Sequence, residues 1–132
     1  MRYLLDTNTV SDLVRNPQGD AAQHIRRVGE SKVCTSIIVS AELRYRAVKK
    51  NSPRLSAQLE AVLAVMQILP FEAPADALYG SIRRRLEEKG KPICANDMLI
   101  AAHALAVDCT VVTDNEREFA RVEGLRVENW LD

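Results

Sequence analysis

No apolar run in this sequence approaches the ~20 residues a helix needs to cross a bilayer, and a stretch such as Ala61–Met66 is far too short. A secretory leader is not expected either, because Asp6 interrupts the opening Met1-Arg2-Tyr3-Leu4-Leu5 before an apolar core could form. Cysteine is scarce and odd in number: Cys34, Cys94 and Cys109 lie far apart with no C-x-x-C spacing. That pattern excludes a zinc ribbon, a dithiol redox pair and complete internal pairing. It leaves three small buried fillers in a protein of the reducing cytoplasm. Repeats and low-complexity segments are absent as well.

Net charge is also missing, with 18 Lys and Arg against 18 Asp and Glu. A domain that grips nucleic acid by bulk charge runs basic, so zero argues against that class. The balance is uneven along the chain, however. Arg44, Arg46, Lys49 and Lys50 fall in one stretch, and Arg83, Arg84, Arg85, Lys89 and Lys91 in another. Acids gathered into a site would hide such a basic surface in the total.

What is present suits one domain over residues 1–132 with one core. Short apolar runs alternate with helical patterns. Tyr3–Leu5, Lys32–Thr35, Gln67–Phe71, Thr110–Thr113 and Leu125–Glu128 read as strands. Helices are predicted over 8–15, 19–29, from Ser36 to the basic stretch, from Ser52-Pro53, and from Pro74 to Gly90. A last one runs from Asp97 to Val107 with Asn96 as its N-cap. Leu55, Leu59, Val62, Leu63 and Met66 form a stripe at helical spacing, which serves equally as domain core, dimer core or partner groove. The alternation predicts an α/β fold, a three-layer α/β/α sandwich around a mostly parallel sheet of four to five short strands. Ligands of such sheets sit outside the carboxyl ends of the strands, which directs attention to Asp6 and Asp114.

Each acid has a plain alternative. Asp6 could cap a helix, although Thr7, Asn8, Thr9 and Ser11 offer capping oxygens of their own. Glu42 could be a solvated helical acid paired with Arg46. Asp97 could simply favour the positive end of a helix dipole. Thr113-Asp114-Asn115-Glu116-Arg117-Glu118 could be a polar turn, and Glu116 is read that way. Taken together, acids from four elements, two at strand ends, make a stronger case. Crowded carboxylates raise one another's pKa. A hard divalent cation relieves the repulsion, and oxygen-only ligands select Mg²⁺ or Mn²⁺. His24 and His103 lack ligand spacing, and His103 reads as a packing residue. At most one or two of Arg83, Arg84 and Arg85 can face a ligand, the others pairing with Glu87 or Glu88.

In order along the chain, Leu4-Leu5-Asp6-Thr7-Asn8, Ser40-Ala41-Glu42-Leu43, Gly90 to Ala104 around Asn96-Asp97, and Val112-Thr113-Asp114-Asn115 to Trp130 resemble the motifs of the PIN-domain ribonucleases. Within them the resemblance is to the VapC toxins of bacterial toxin–antitoxin pairs, and it spans essentially the whole chain. It implies an Mg²⁺-dependent endoribonuclease, with Mn²⁺ substituting. Asp6, Glu42 and Asp97 would be its acidic core, with Asn115, Glu118 or Asp114 completing the shell and one metal held tightly rather than two. Thr7 or Thr113, with nearby basic residues, would steady the phosphate. It further implies a homodimer and a small antitoxin of the VapB type whose tail lies over the site, often bringing an arginine to the carboxylates. The ending Glu118 to Arg126 resembles the subgroup that cuts initiator tRNA in its anticodon loop.

Two alternatives stand beside this. Asp6-Thr7-Asn8-Thr9 after a strand also resembles the opening of haloacid-dehalogenase-type phosphatases, although that family has a second Asp where Asn8 stands. A non-catalytic domain of the same fold could bind RNA or a partner, but would have no reason to crowd acids together.

Overall fold

The structure is a computed structural model and describes residues 1–131. Its first strand, β1 (Arg2–Leu5), leads into helices α1 (Thr7–Arg15) and α2 (Asp20–Val28) and a short 3₁₀ turn (Glu30–Lys32). Strand β2 (Val33–Ser36) is followed by α3 (Ile37–Lys50), α4 (Pro53–Val65) and strand β3 (Gln67–Leu69). Then come α5 (Ala75–Glu88), α6 (Ala95–Ala106), β4 (Cys109–Val112), the single turn α7 (Glu116–Phe119) and β5 (Val127–Glu128).

All five strands are parallel, in the order β3-β2-β1-β4-β5. The chain therefore builds one half of the sheet outward from β1 to β3, then returns to β4 on the other side of β1. Parallel crossovers are right-handed, so reversing direction moves the later helices to the opposite face. Helices α1, α3 and α4 pack on one another, and α5 packs on α6. This is the expected three-layer sandwich. Leu4, Leu5, Val111 and Val112 of the two central strands are fully buried between the layers, with Val10, Val39, Ile100 and Phe119 against them. Central parallel strands are covered on both faces, which is why they read as continuous apolar runs.

Local chemistry fixes most helix ends. Ser36 Oγ accepts from the Ile38 N–H to open α3, and Asn51 closes it in the left-handed region at φ 51°. Ser52 accepts from Leu55 N–H ahead of Pro53, opening α4. Four expectations need correction. Asn96 is not the cap of α6, which begins one residue earlier behind Cys94 with no side-chain cap. Cys94 is exposed, while Cys34 and Cys109 are the buried fillers expected. Strands β3 and β5 are shorter than their apolar patterns, because only Gln67–Leu69 and Val127–Glu128 find a neighbour to pair with. Helix α5 stops at Glu88, short of Gly90.

The apolar stripe of α4 divides. Leu59 and Leu63 are core, whereas Val62 and Met66 line a groove of about 320 Å³ that also takes in Ala22 and Ile25 of α2 and the exposed Val65.

Candidate active site at the carboxyl ends of the central strands

The strand order reverses between β1 and β4, and open α/β sheets form their ligand crevice at such a switch point. Asp6 leaves β1 there, its own N–H donating to Val112 O at 3.0 Å. Thr9 Oγ1 donates to the same carbonyl at 3.0 Å, and Thr35 Oγ1 donates to Leu5 O at 2.7 Å. Side-chain hydroxyls thus finish the ladder where the strands run out, and the chain can turn without orphaned carbonyls.

Asp6 is 3% exposed, and its Oδ1 accepts the Thr9 N–H at 2.9 Å, capping α1. The neighbouring hydroxyls do not relieve it of that duty, contrary to the expectation from their capping oxygens. Thr113, fully buried, receives the Asn115 N–H at 2.9 Å and places its own hydroxyl within reach of Asp6. It is therefore a positioning group for Asp6, and its hydroxyl is not spare for a substrate. Burial raises the pKa of Asp6 above the carboxylate range, with the Thr113, Thr9 and backbone bonds opposing and the charge of Asp114 adding a little.

Asp97 reaches the same place from the first turn of α6. Its pKa is pushed up to about 7, chiefly by burial, then by a carboxyl–carboxyl hydrogen bond with Glu118 and by the charge of Asp6. Glu118 is held in turn by Asn115 Nδ2 at 2.7 Å. Asp114 turns away to accept from Asn8 Nδ2 at 3.2 Å and is exposed. Of the three residues offered for the fourth position, Asn115 and Glu118 are brought to Asp97 and Asp114 is not. Thr7, buried beside Asp6, opens α1.

Glu42 stands one step out. Its carboxylate accepts from Asn96 Nδ2 at 3.3 Å and pairs with Arg46 at 3.6 Å, and it is not among the charges that shift Asp6 or Asp97. Asn96 is the residue whose role the sequence pattern obscures. An Asn just ahead of an apolar helix reads as a cap, and only the approach of α3 to α6 gives its amide a different partner.

These donors suit a hard divalent cation in type and charge: oxygen only, acidic, and in Asp6 and Asp97 pushed toward protonation. Their carboxylates do not converge on a single point, since no three acid, His or Cys side chains among the described residues stand ready to ligate a common ion. The remaining candidates have other partners. His103 is buried with Nδ1 2.7 Å from Ser36 Oγ and Phe71 at its edge, a packing role. Arg83, Arg84 and Arg85 are all engaged in surface pairs, with Glu87, Glu88 and Glu123 respectively.

A linkage follows from Asp97. Its folded pKa of about 7 exceeds the 3.8 of an unfolded chain, so the folded state holds the proton more firmly between those values. The stability this contributes is complete below about pH 4 and is lost as pH rises through 7. His103, whose pKa burial lowers, acts in the opposite sense. Melting curves in EDTA for the wild type and Asp97→Asn isolate the carboxyl. The variant should gain on the wild type steadily from pH 4 to pH 8, and parallel curves would refute the linkage.

A parallel five-stranded sheet with acids gathered at its switch point is the architecture of a PIN domain. The PIN domain family model matches residues 3–125, and the chain belongs to that family. It is 36% identical to the tRNA(fMet)-specific endonuclease VapC of Salmonella typhimurium, over 98% of both chains. It is 39% identical to ribonuclease VapC2 of Haemophilus influenzae, over 99% of both. In structure it is similar to VapC in the VapBC2 complex of Rickettsia felis bound to a promoter DNA fragment, at TM-score 0.91 and 34% identity, covering 98% of this chain and 99% of that one.

Proposed function

We propose that this chain is a cytoplasmic, Mg²⁺-dependent endoribonuclease, the toxin of a toxin–antitoxin pair, restrained by an antitoxin of the VapB kind. The observation that carries the reading is the meeting of buried Asp6 and half-buried Asp97 at the switch point of the sheet, with Glu118 hydrogen-bonded to Asp97. A reaction that needs a nucleophilic carboxylate, as in the phosphatase alternative, would not place Asp6 with one oxygen tied to a helix cap and its neighbours competing for protons.

Asp6 and Asp97 would hold the ion, with Glu42 and Glu118 at its margin. When bound, Mg²⁺ supplies a lowered pKa for an attacking water and positive charge beside the phosphoryl oxygens. The chain does the rest. Thr113 and the Thr9 N–H fix the Asp6 carboxylate, so that it does not reorganise as charge develops. Glu42, steadied by Asn96, can accept a hydrogen bond from the water and aim it at phosphorus. Its partner Arg46 is a cation able to receive a phosphate oxygen.

The names of the Salmonella and Shigella relatives, tRNA(fMet)-specific endonucleases, make initiator tRNA the substrate to test first, and the resemblance of Glu118 to Arg126 points to its anticodon loop. For the antitoxin, the groove between α2 and α4 offers an apolar seat with the exposed Val65 at its edge, the kind of surface an amphipathic partner helix covers. A homodimer is proposed on the same family grounds. The deciding experiment incubates the purified chain with total RNA and with initiator tRNA in Mg²⁺ or Mn²⁺, and maps the new ends by sequencing. Discrete cuts abolished by EDTA are expected. An inert chain in both metals favours a non-catalytic binding domain, and cleavage that survives EDTA overturns the metal.

A further inference from the structure

Two glutamates stand at the margin of the site, and an asparagine amide holds each of them. Asn115 Nδ2 donates to Glu118 Oε2 at 2.7 Å, and Asn96 Nδ2 donates to Glu42 Oε2 at 3.3 Å. The first pair is local to the start of α7. The second joins α6 to α3 across 54 positions of sequence. Glu42 needs such a hold, because its side chain is long, flexible and 27% exposed. Its other partner, Arg46, lies 3.6 Å from Oε1, sits one turn further along the same helix and is itself 45% exposed. An exposed pair of that kind is weak and moves with its own helix, so it does not relate Glu42 to anything on α6.

Asn96 does relate them. Its side chain is short and half-buried, and it immediately precedes Asp97 in the first turn of α6. Successive residues point about 100° apart around a helix. One turn therefore sends Asp97 toward Asp6 and Glu118, and Asn96 toward Glu42. The helix itself gains nothing from this residue. Helix α6 opens behind Cys94 with no side-chain cap, and Asn96 stands second in it, a poor helix former whose amide is turned to another element. A local choice that works against its own helix marks a functional position, and what the amide holds is an acid of the site.

We propose that Asn96 is the positioning residue for Glu42. It ties the carboxylate that directs the attacking water to the same turn that carries Asp97, so that the two acids keep one relative placement. This rests on the ribonuclease reading and deepens it. Without the amide, Glu42 is left with Arg46 alone at the half-exposed edge of α3, and the water loses its fixed acceptor while Asp6 and Asp97 remain in place. The competing account is an ordinary tie between two helices that supports the fold and nothing else.

The test compares the wild type, Asn96→Ala, Glu42→Gln and the double variant Asn96→Ala/Glu42→Gln. Loss of a group that orients a working side chain costs roughly 10- to 100-fold, so Asn96→Ala should lower kcat for RNA cleavage in Mn²⁺ by about ten-fold with KM unchanged. In the Glu42→Gln background the same change should cost nothing further, since effects that run through one group do not multiply. Melting in EDTA should not fall, because no cap is removed and alanine is the better helix former. In ¹H–¹⁵N spectra of the metal-free protein, the side-chain amide that disappears in Asn96→Ala should shift in Glu42→Gln, as a donor to a carboxylate must when its charge is removed. An unchanged kcat overturns the proposal, as does an amide that ignores Glu42→Gln. So does a loss that multiplies in the double variant, or one seen in melting and not in kcat. A wild type that shows the amide shift but cuts nothing in Mn²⁺ leaves the Asn96–Glu42 contact standing and overturns the nuclease reading instead.

Discussion

Asp97→Asn is expected to lower RNA cleavage by at least about 100-fold while the protein stays folded. Loss of a partner that merely orients a metal ligand costs roughly 10- to 100-fold in affinity or activity, and a ligand itself is worth more. The substitution keeps shape and volume, and position 97 lies in the half-buried first turn of α6 where a neutral amide meets no steric objection. The amide also relieves the repulsion that Glu118 and Asp6 impose on the native carboxyl. The metal-free variant should accordingly melt above the wild type at pH 8, and should gain little when Mn²⁺ is added. Single-turnover cleavage and melting curves on the same preparation check both halves. A folded variant that cuts at the wild-type rate removes Asp97 from the mechanism.

Asp6 separates two duties of one side chain. Asparagine caps a helix about as well as aspartate, so Asp6→Asn should keep the bond from the Thr9 N–H and melt close to the wild type. It should nonetheless lose cleavage by about as much as Asp97→Asn, because the amide carries no charge for the ion. Asp6→Ala should lose the same activity and, relative to Asp6→Asn, about 1 kcal/mol of cap, or about 4 °C in melting temperature. If the asparagine and alanine variants melt together, the cap contributes nothing. If Asp6→Asn still cleaves, the cap is the whole role of the residue.

Which parts of the site are legible in the sequence follows from which interactions are local. Asp6 and Asp97 stand out because each adjoins a strong local pattern, an apolar strand in one case and the start of an apolar helix in the other. In a parallel sheet such positions fall at one end. Glu118 and Asp114 cannot be ranked from sequence, because both sit within a few residues of β4. What separates them is that one turn of α7 swings Glu118 back over Asp97 while Asp114 faces Asn8. Asn96 misleads for a similar reason: its capping propensity is local, and its bond to Glu42 spans 54 positions. Thr113 reads as a phosphate donor, since a sequence shows that a hydroxyl is present but not that Asn115 N–H and Asp6 already occupy it.

The alternation of strand and helix, the parallel sheet it requires and the family whose motifs the chain carries are all readable from the residues alone. Periodicity, caps and motif order are written within short stretches of chain, so no long-range contact is needed to see them. The reversal of strand order between β1 and β4 belongs instead to the packed molecule. That reversal sets Asp6 and Asp97 against each other, burial then raises their pKa values, and Glu42 is left one hydrogen bond away behind Asn96. Packing also selects which arginines are tied up in surface pairs with distant acids. Charge repulsion, desolvation and ion pairing depend on distances between elements, and those distances are fixed only once the layers have packed.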